Sequence, residues 1–290
     1  VPLKYVIDPD NCIYLTKGKC RACEKFCPTG AVNFDDKPVY DALNVGAVIL
    51  APGFKPFDPS DFDFYGYKNI PDVVTSLEYE RYLSAGGPCM GHLIRPSDGR
   101  EPKKIAWLQC VGSRNTNRCD NGYCSSVCCM YAIKQALVTK EHLSADQVSQ
   151  TIFNMDIRSH GKEFEQYYTS AKAKGVRFIK ARPHSIIPGK NNMGASLVYF
   201  TEDGHQHTEE YDMVVLSIGL EAPTDAADLA AKFGIELDPY RFALTRDFNP
   251  TQSSKPGILV TGAFQGPKDI PQSVTEASSA AFDAAAILHK

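Results

Sequence analysis

A parallel α/β fold with a small ferredoxin-type insert at one end is what this chain predicts, on three observations. From Lys103 onward, apolar strand segments alternate with helical segments, the pattern of a parallel sheet flanked by helices. Two apolar strands, residues 47–53 and 213–219, each stop at a glycine, which suggests two nucleotide-fold units, each closing its sheet at a backbone turn. Nine of the ten cysteines fall into two close-spaced clumps.

The elements follow in order. KYVID offers a short strand, a cysteine loop follows, and GAVNFDD gives a second strand after Pro28. Residues 45–53 (VGAVILAPG) read as a buried strand ending at Gly53. A connection rich in Pro, Asp, Gly and Tyr leads to a helix over 76–85 and then a loop. KKIAWLQC is a strand, and after a second cysteine loop a helix runs from about 125 to 142. A strand at 150–156, a helix at 162–174 and a strand at 176–181 come next. LVYFTED and HTEEYDMVVLSIG read as a hairpin ending in a buried strand. PGILVTGAF is one more buried strand, and residues 273–289 form an Ala-rich helix capped near Pro271.

Composition narrows the function. With 290 residues, 43% hydrophobic and 22% charged, the chain can bury a proper core. A formal net charge of -3 gives no reason to expect nucleic acid as a partner. No apolar run approaches the roughly 20 residues that span a bilayer, so a direct membrane span is not expected. The opening lacks the apolar core of a secretory signal. Disulfides suit small secreted domains better than adjacent, clumped cysteines, and a reducing, cytoplasmic setting is expected.

The first clump, Cys12-x7-Cys20-x2-Cys23-x3-Cys27-Pro28, stays close to the bacterial ferredoxin run with a lengthened first gap. Four thiolates on a tight loop can surround an iron–sulfur cubane, and the Cys-Pro ending favours that over a four-cysteine zinc site. In two-cluster ferredoxins the cysteine before proline ligates the other cluster, so Cys27 serves either this cluster or a neighbouring one. In the second clump Cys110 ends a strand, while Cys124, Cys128 and Cys129 open the following helix. A nicotinamide-binding unit would place G-x-G-x-x-G at this turn. The cysteine loop takes its place, so NAD(P)H binding is expected to be lost. A helix N-terminus suits an anionic cluster and lowers thiol pKa. Buried free cysteines are the alternative. Cys119 lies inside the loop as a substitute candidate for one ligand, but its polar neighbours suggest exposure. Cys89 reads as a bystander.

At these residues the chain resembles the heterodisulfide reductase family of flavin and iron–sulfur subunits, which serve electron-bifurcating complexes. The phrases that carry the resemblance are RPSDGREPKKIAWLQCVGSR, YCSSVCCMYAIKQA, NMDIRSHGKEFEQYY and GAFQGPKDIPQSVTEASSAA. Flavin subunits of quinone-interacting oxidoreductases look similar, as do the subunits that accompany benzoyl-CoA reductases. The resemblance implies a thioredoxin-reductase-like flavoprotein, partial here, with two dinucleotide-binding domains and the ferredoxin-like insert. Residues 1–40 would be the insert, 41–102 part of the FAD domain and linker, 103–222 the nucleotide-type domain, and 223–290 the closing FAD part. It implies one 4Fe-4S cluster on Cys110, Cys124, Cys128 and Cys129, and another on Cys12, Cys20 and Cys23, with Cys27 completing it or serving a neighbouring cluster. Gly262, Gln265, Gly266, Lys268, Asp269, Ile270 and Ser273 fall where this class contacts FAD.

Lys134, five residues beyond Cys129, would stabilise an anionic reduced flavin or sit near its N5; a solvated helix lysine is the plainer reading. Arg158 and Lys162 would face the same cavity or form salt bridges, and His160 reads as a surface residue. The implied function is electron transfer, with electrons entering from a hydrogenase, formate or nicotinamide dehydrogenase partner. They would leave to ferredoxin and a heterodisulfide or quinone-linked partner. A pyridine-nucleotide disulfide oxidoreductase using Cys128 or Cys129, and a zinc-stabilised scaffold, are the competing readings. The family's G-x-G-x-x-G for the ADP half of FAD does not occur in these 290 residues. The chain alone is therefore expected to bind FAD poorly, as a fragment of a longer polypeptide or beside another chain that supplies the missing half.

Overall fold

The computed structural model describes residues 5–37, 40–143 and 148–289, and the chain divides into two compact units, Val1–Val45 and Gly46–Lys290. In the first, the described residues form two one-turn helices, α1 (Ile13–Lys17) and α2 (Ala22–Phe26). Gly18 ends α1 in the left-handed conformation, where a glycine costs least. Arg21 stacks its guanidinium over the Tyr14 and Phe34 rings, 4.9 and 5.4 Å from their centroids, and pairs with Glu24. The two expected strands are absent among the described residues of this unit, although Lys4 of the first lies outside them. No described residue of 5–45 is buried, and a two-stranded hairpin without an apolar face to cover has little to hold it.

The second unit opens with β1 (Val48–Leu50), β2 (Lys55–Pro56), β3 (Val73–Thr75) and α3 (Ser76–Leu83). It continues through β4 (Lys104–Val111), α4 (Cys128–His142), β5 (Ser149–Asn154), α5 (Phe164–Ala173) and β6 (Arg177–Lys180). Then come β7 (Ser185–Pro188), β8 (Ala195–Phe200), β9 (Gln206–Tyr211), β10 (Met213–Ile218) and β11 (Leu220–Glu221). The chain closes with α6 (Ala226–Phe233), β12 (Thr245–Arg246), β13 (Asn249–Ser253), β14 (Ile258–Val260) and α7 (Ile270–Leu288).

The central sheet has the order β3-β10-β4-β5-β6 and is parallel throughout. Its middle strands are apolar over their whole length because both faces are covered. On one face α3 and α4 pack over Trp107, Ile105 and Met213; on the other, the antiparallel meander β7-β8-β9 covers Leu108, Phe153 and Leu216. Trp107 is fully buried, donates from Nε1 to Gln135 Oε1 at 3.1 Å, and meets Tyr79 edge to face at 5.5 Å. Buried Asp72 accepts the Ser97 and Gly194 amides at 3.0 and 2.7 Å, tying two loops to β3. A second sheet, β1-β14-β13-β12, supports α7 through β1, β13 and β14. The two glycine-ended segments thus lie in different sheets, β1 in one and β10 in the other.

The expected hairpin exists between β8 and β9, but the buried strand after it leaves for the central sheet. Asp212 is the joint: its carboxylate accepts the Lys103 and Lys104 amides at 2.8 and 2.9 Å and pairs with Arg95. No helix among the described residues is long and apolar enough to cross a membrane.

The meander carries an acid-sensitive clasp. Burial raises the pKa of Glu209, but Arg177, Lys104 and Tyr211 outweigh it and hold the carboxyl at about 2. Because the folded value lies below the unfolded one, its contribution is complete above pH ~4.5 and fades as pH falls toward ~2. The group is partly exposed and screened, so Glu209→Gln should lower the urea midpoint modestly at pH 7 and leave it unchanged near pH 2. An equal loss at both pH values would exclude the clasp.

Candidate redox site

The second cysteine clump is built by a bulge. In the β4–β10 ladder Leu108 pairs with Leu216, yet Val111 pairs with Ile218, so β4 carries one extra residue there. Cys110 sits in this irregularity at φ +61°, and Arg114 and Ser126 in the following loop also take left-handed backbone. Such conformations in non-glycine residues are rare and collect at functional sites. Two glycines make room for the loop. A Cβ on Gly112 would lie 2.1 Å from Phe57, and one on Gly219 would lie 2.4 Å from Ser125 Oγ. Ser125 Oγ in turn accepts the Leu220 amide at 3.0 Å, pinning the loop to the end of β10.

Cys110, Cys128 and Cys129 are buried, whereas Cys124 is half-buried with the Ser126 amide 3.4 Å from its Sγ. The three buried thiols influence one another's protonation, and Cys128 acts on both of the others. The Cys128 thiol, seconded by the Arg114 guanidinium, holds Cys110 at about 7, and Cys129 is likewise lowered by Cys128. Cys128 rises well above the ordinary thiol value because the neighbouring Cys110 and Cys129 thiols favour its protonated form and because it is buried. Asp156 pairs with Arg114 and with Arg158 at 3.5 Å, and its carbonyl lies 3.9 Å from Cys129 Sγ. Among the described residues no three His, Cys, Asp or Glu side chains converge as they would on a single metal ion. Around a cubane, by contrast, the thiolates surround a volume.

Cys119 corrects the expected exposure. It is half-buried, packs against the apolar core beneath the meander, and approaches the Asn115 carbonyl at 3.4 Å. The polar run around it misleads because its neighbours face outward while its sulfur faces in.

In the first unit, Cys12 precedes α1, Cys23 lies in α2, and Cys27 follows it. Cys20 and Cys23 are exposed, Cys12 and Cys27 half-buried. Cys20 has φ +103°. Hydrogen bonds from Thr29 first and then the Ala31 amide bring Cys27 down to about 7.

An apolar cavity of about 460 Å³ lies between the starts of α4 and α7, within the usual range for small-molecule sites. Val127, Met130 and Tyr131 form one wall and Lys268, Asp269 and Ile270 the other; Phe54 and Leu220 help to close it. Tyr131 is fixed there by donating to the Ile218 carbonyl at 2.7 Å. Asp269 caps α7 through a reciprocal bond pair with Gln272. Lys268 is buried, bonds Gln265 at 2.5 Å and pairs with Glu276, which also accepts the Gly262 amide at 3.2 Å. Gly262 has φ +68°, and a Cβ there or at Gly266 would meet nothing within 4 Å. Ser273 Oγ donates to the Asp269 carbonyl at 2.8 Å.

Of the seven residues predicted for a cofactor, Lys268, Asp269 and Ile270 reach this cavity; Gly262, Gln265, Gly266 and Ser273 stand behind or beside them. Lys134 and Lys162 instead line a neighbouring groove along α4 and α5, which shares Met130, Tyr131 and Phe164 with the cavity. Lys134 pairs there with Glu80. Arg158 lines neither, and His160 is exposed. Sequence reasoning misses Phe54, Met130 and Tyr131; the glycine ending β10 is the available signal, since the cavity forms where that strand stops.

Known proteins share this sequence and fold. The family model for pyridine nucleotide-disulphide oxidoreductases matches residues 24–281. The chain is 42% identical over 287 residues to the CoB–CoM heterodisulfide reductase iron-sulfur subunit of Methanocaldococcus jannaschii, covering 97% of this chain. It is 38% identical over 291 residues to the corresponding subunit of the H(2):CoB-CoM heterodisulfide,ferredoxin reductase of Methanothermobacter marburgensis, covering 98%. It spans 42% of the length of each relative. Among solved structures, T. acidophilum thioredoxin reductase aligns with a TM-score of 0.53 at 16% identity, over 84% of this chain and 66% of that one. Lactococcus lactis thioredoxin reductase aligns with a TM-score of 0.51 at 18% identity, over 83% and 65%. The fold is therefore that of thioredoxin reductases, a mixed α/β flavoprotein architecture. The chain belongs to the pyridine nucleotide-disulphide oxidoreductase family, and the stretch it spans is the one shared with these heterodisulfide reductase subunits.

Proposed function

We propose that this chain is the flavin and iron–sulfur electron-transfer portion of a heterodisulfide-reductase-like oxidoreductase complex. The observation that carries the reading is the apolar cavity walled by the start of α7 on one side and the first turns of the cysteine-bearing helix on the other. A flavin ring held there would lie beside the second cysteine clump. The residues suit both groups. Two glycines without a Cβ clash and a helix N-terminus suit FAD phosphates and ribityl chain. Three clustered buried thiols beside Arg114, with Cys124 next to them in the loop, suit a 4Fe-4S cluster.

Cys110, Cys124, Cys128 and Cys129 would hold one cluster, and Cys12, Cys20, Cys23 and Cys27 the other. Gly262, Gln265, Gly266, Lys268, Asp269, Ile270 and Ser273 would hold the flavin. When bound, FAD would exchange two electrons with a hydrogenase or dehydrogenase partner, and the clusters would pass single electrons toward ferredoxin and a disulfide or quinone-linked acceptor. Tyr131 and Val127 exclude water from the cavity wall. Arg114 offers a cation to the Cys110 sulfur. Lys134, one turn beyond Met130, is the cation of α4 that would exchange Glu80 for an anionic reduced flavin.

The test is the iron, acid-labile sulfide and zinc content of the anaerobically reconstituted chain, with flavin titrations of the complete complex. About eight irons with equivalent sulfide are expected, and Lys134→Gln should move the flavin midpoint potential without changing iron content. Zinc without sulfide would mean a scaffold. An iron-free protein with two reactive thiols at Cys128 and Cys129 would mean a disulfide oxidoreductase.

A further inference from the structure

The ion pair between Arg114 and Asp156 sits at the rim of the second cysteine clump, and the sheet puts it there. Strands β4 and β5 are parallel, with Leu108 beside Phe153, so the residues that end or follow each strand emerge side by side. From β4 come Cys110 and the loop that carries Arg114; from β5 comes Asp156. Arg114 takes left-handed backbone at φ +53°, and its amide donates to the Tyr123 carbonyl at 2.8 Å, which fixes the base of its side chain. Its guanidinium meets the Asp156 carboxylate fork to fork: Nη1 donates to Oδ1, and Nη2 to Oδ2 at 3.1 Å.

The two partners face different thiols. After Cys128, Arg114 is the group that most favours the Cys110 thiolate, while the Asp156 carbonyl lies 3.9 Å from Cys129 Sγ. The pair therefore brackets the clump from Cys110 to Cys129. Arg158, with Nε 3.5 Å from Asp156 Oδ1, is a second cation on the same carboxylate. Side-chain exposures of 21% for Arg114 and 48% for Asp156 place the pair among those whose contribution to stability is small.

Charge beside the sulfurs is another matter. One-electron reduction of a cluster adds one negative charge to the site, with no bond made or broken, and the potential follows the net charge around it. A fixed cation favours the reduced form. A carboxylate that neutralises that cation takes part of the effect away. An arginine beside a thiolate, with a carboxylate of its own, thus holds the site at an intermediate value that can be moved in either direction.

We propose that Arg114 and Asp156 are an opposed charge pair that sets the reduction potential of the site at Cys110, Cys124, Cys128 and Cys129, Arg114 raising it and Asp156 holding it down. Arg114 acts on the site through space. Asp156, which acts through Arg114, is a positioning residue. The inference rests on the reading of this clump as a 4Fe-4S site.

The experiment is a mediated redox titration of the anaerobically reconstituted chain, followed by low-temperature EPR, for the unaltered protein and for Arg114→Gln, Asp156→Asn and Arg114→Lys. Cys128→Ser identifies the signal of the second clump, and the signal of the first, in the other compact unit, is the internal reference. At a fixed potential, Arg114→Gln should lower the reduced-to-oxidised ratio of the second cluster about threefold, and Asp156→Asn should raise it about threefold. Each is a shift of roughly 30 mV, at about 59 mV per tenfold for a one-electron couple. Arg114→Lys keeps the charge and should lie closer to the unaltered protein than Arg114→Gln does. Both Arg114→Gln and Asp156→Asn lose the same ion pair, so a purely structural role would move them the same way. That outcome, or no shift in either, would overturn the proposal. If Arg114→Gln loads no second cluster, the direction of the shift in Asp156→Asn still decides. An unaltered chain with one EPR signal and about four irons would instead remove the cluster reading, and this proposal with it.

Discussion

Replacing Cys128 with serine is expected to halve the iron of the reconstituted chain, from about eight atoms to about four, and to leave the remaining cluster intact. The geometry dictates the asymmetry. Cys128 is the buried thiol that acts on both Cys110 and Cys129, so its loss removes the group common to the other two. A serine hydroxyl at a 1% exposed position must also find a new partner or remain unpaired. The ferredoxin-type run lies in a different compact unit and should load as before. Iron and sulfide analysis together with low-temperature EPR of the reduced protein measures both sites at once. An unchanged iron count would remove Cys128 from the ligand set, and loss of all iron would mean that the two sites do not load independently.

Trp107→Ala should cost about 3–5 kcal/mol, the range for emptying a large buried aromatic site. That is a large fraction of the roughly 5–15 kcal/mol that holds a domain together. The ring fills the space between β4 and α4, with Tyr79 against its edge. The substitution also strips Gln135 Oε1 of its donor at a site 2% exposed. Trp107→Phe keeps most of the volume and isolates the second effect, about 1–3 kcal/mol for an unpaired buried acceptor. This is the chain's single tryptophan, so urea midpoints must be followed by far-ultraviolet circular dichroism. A loss below about 1 kcal/mol for the alanine variant, far under the range for such a site, would show that the central sheet is not packed as described.

Much of this architecture is written locally. The strand KKIAWLQC is apolar on both faces because helices cover one side and a meander the other. Lys268, Asp269 and Ile270 can be placed at a helix start because Asp269 and Pro271 are start signals in themselves. What the sequence conceals depends on distant partners. HTEEYDMVVLSIG reads as one strand, yet it is two, and the break at Asp212 exists only because Lys103, Lys104 and Arg95 lie close enough to bond its carboxylate. Helix α6 escapes a reading of the sequence despite its glycine stop at Gly234, since it is only eight residues long. The strands expected around the first cysteine run fail for the opposite reason: their local pattern is good, but the unit offers no apolar face for them to cover. Lys134 shows the limit for single charges, because its partner Glu80 is 54 positions away.

The extra residue at the end of β4 has a geometric consequence. A strand packed from both sides has no free direction in which to display a reactive group, since each position is already committed to one layer or the other. One extra residue solves this without disturbing either layer, by turning one sulfur out of the alternation. The packing residues before it and the loop after it are thereby uncoupled, so a change in one does not require a change in the other.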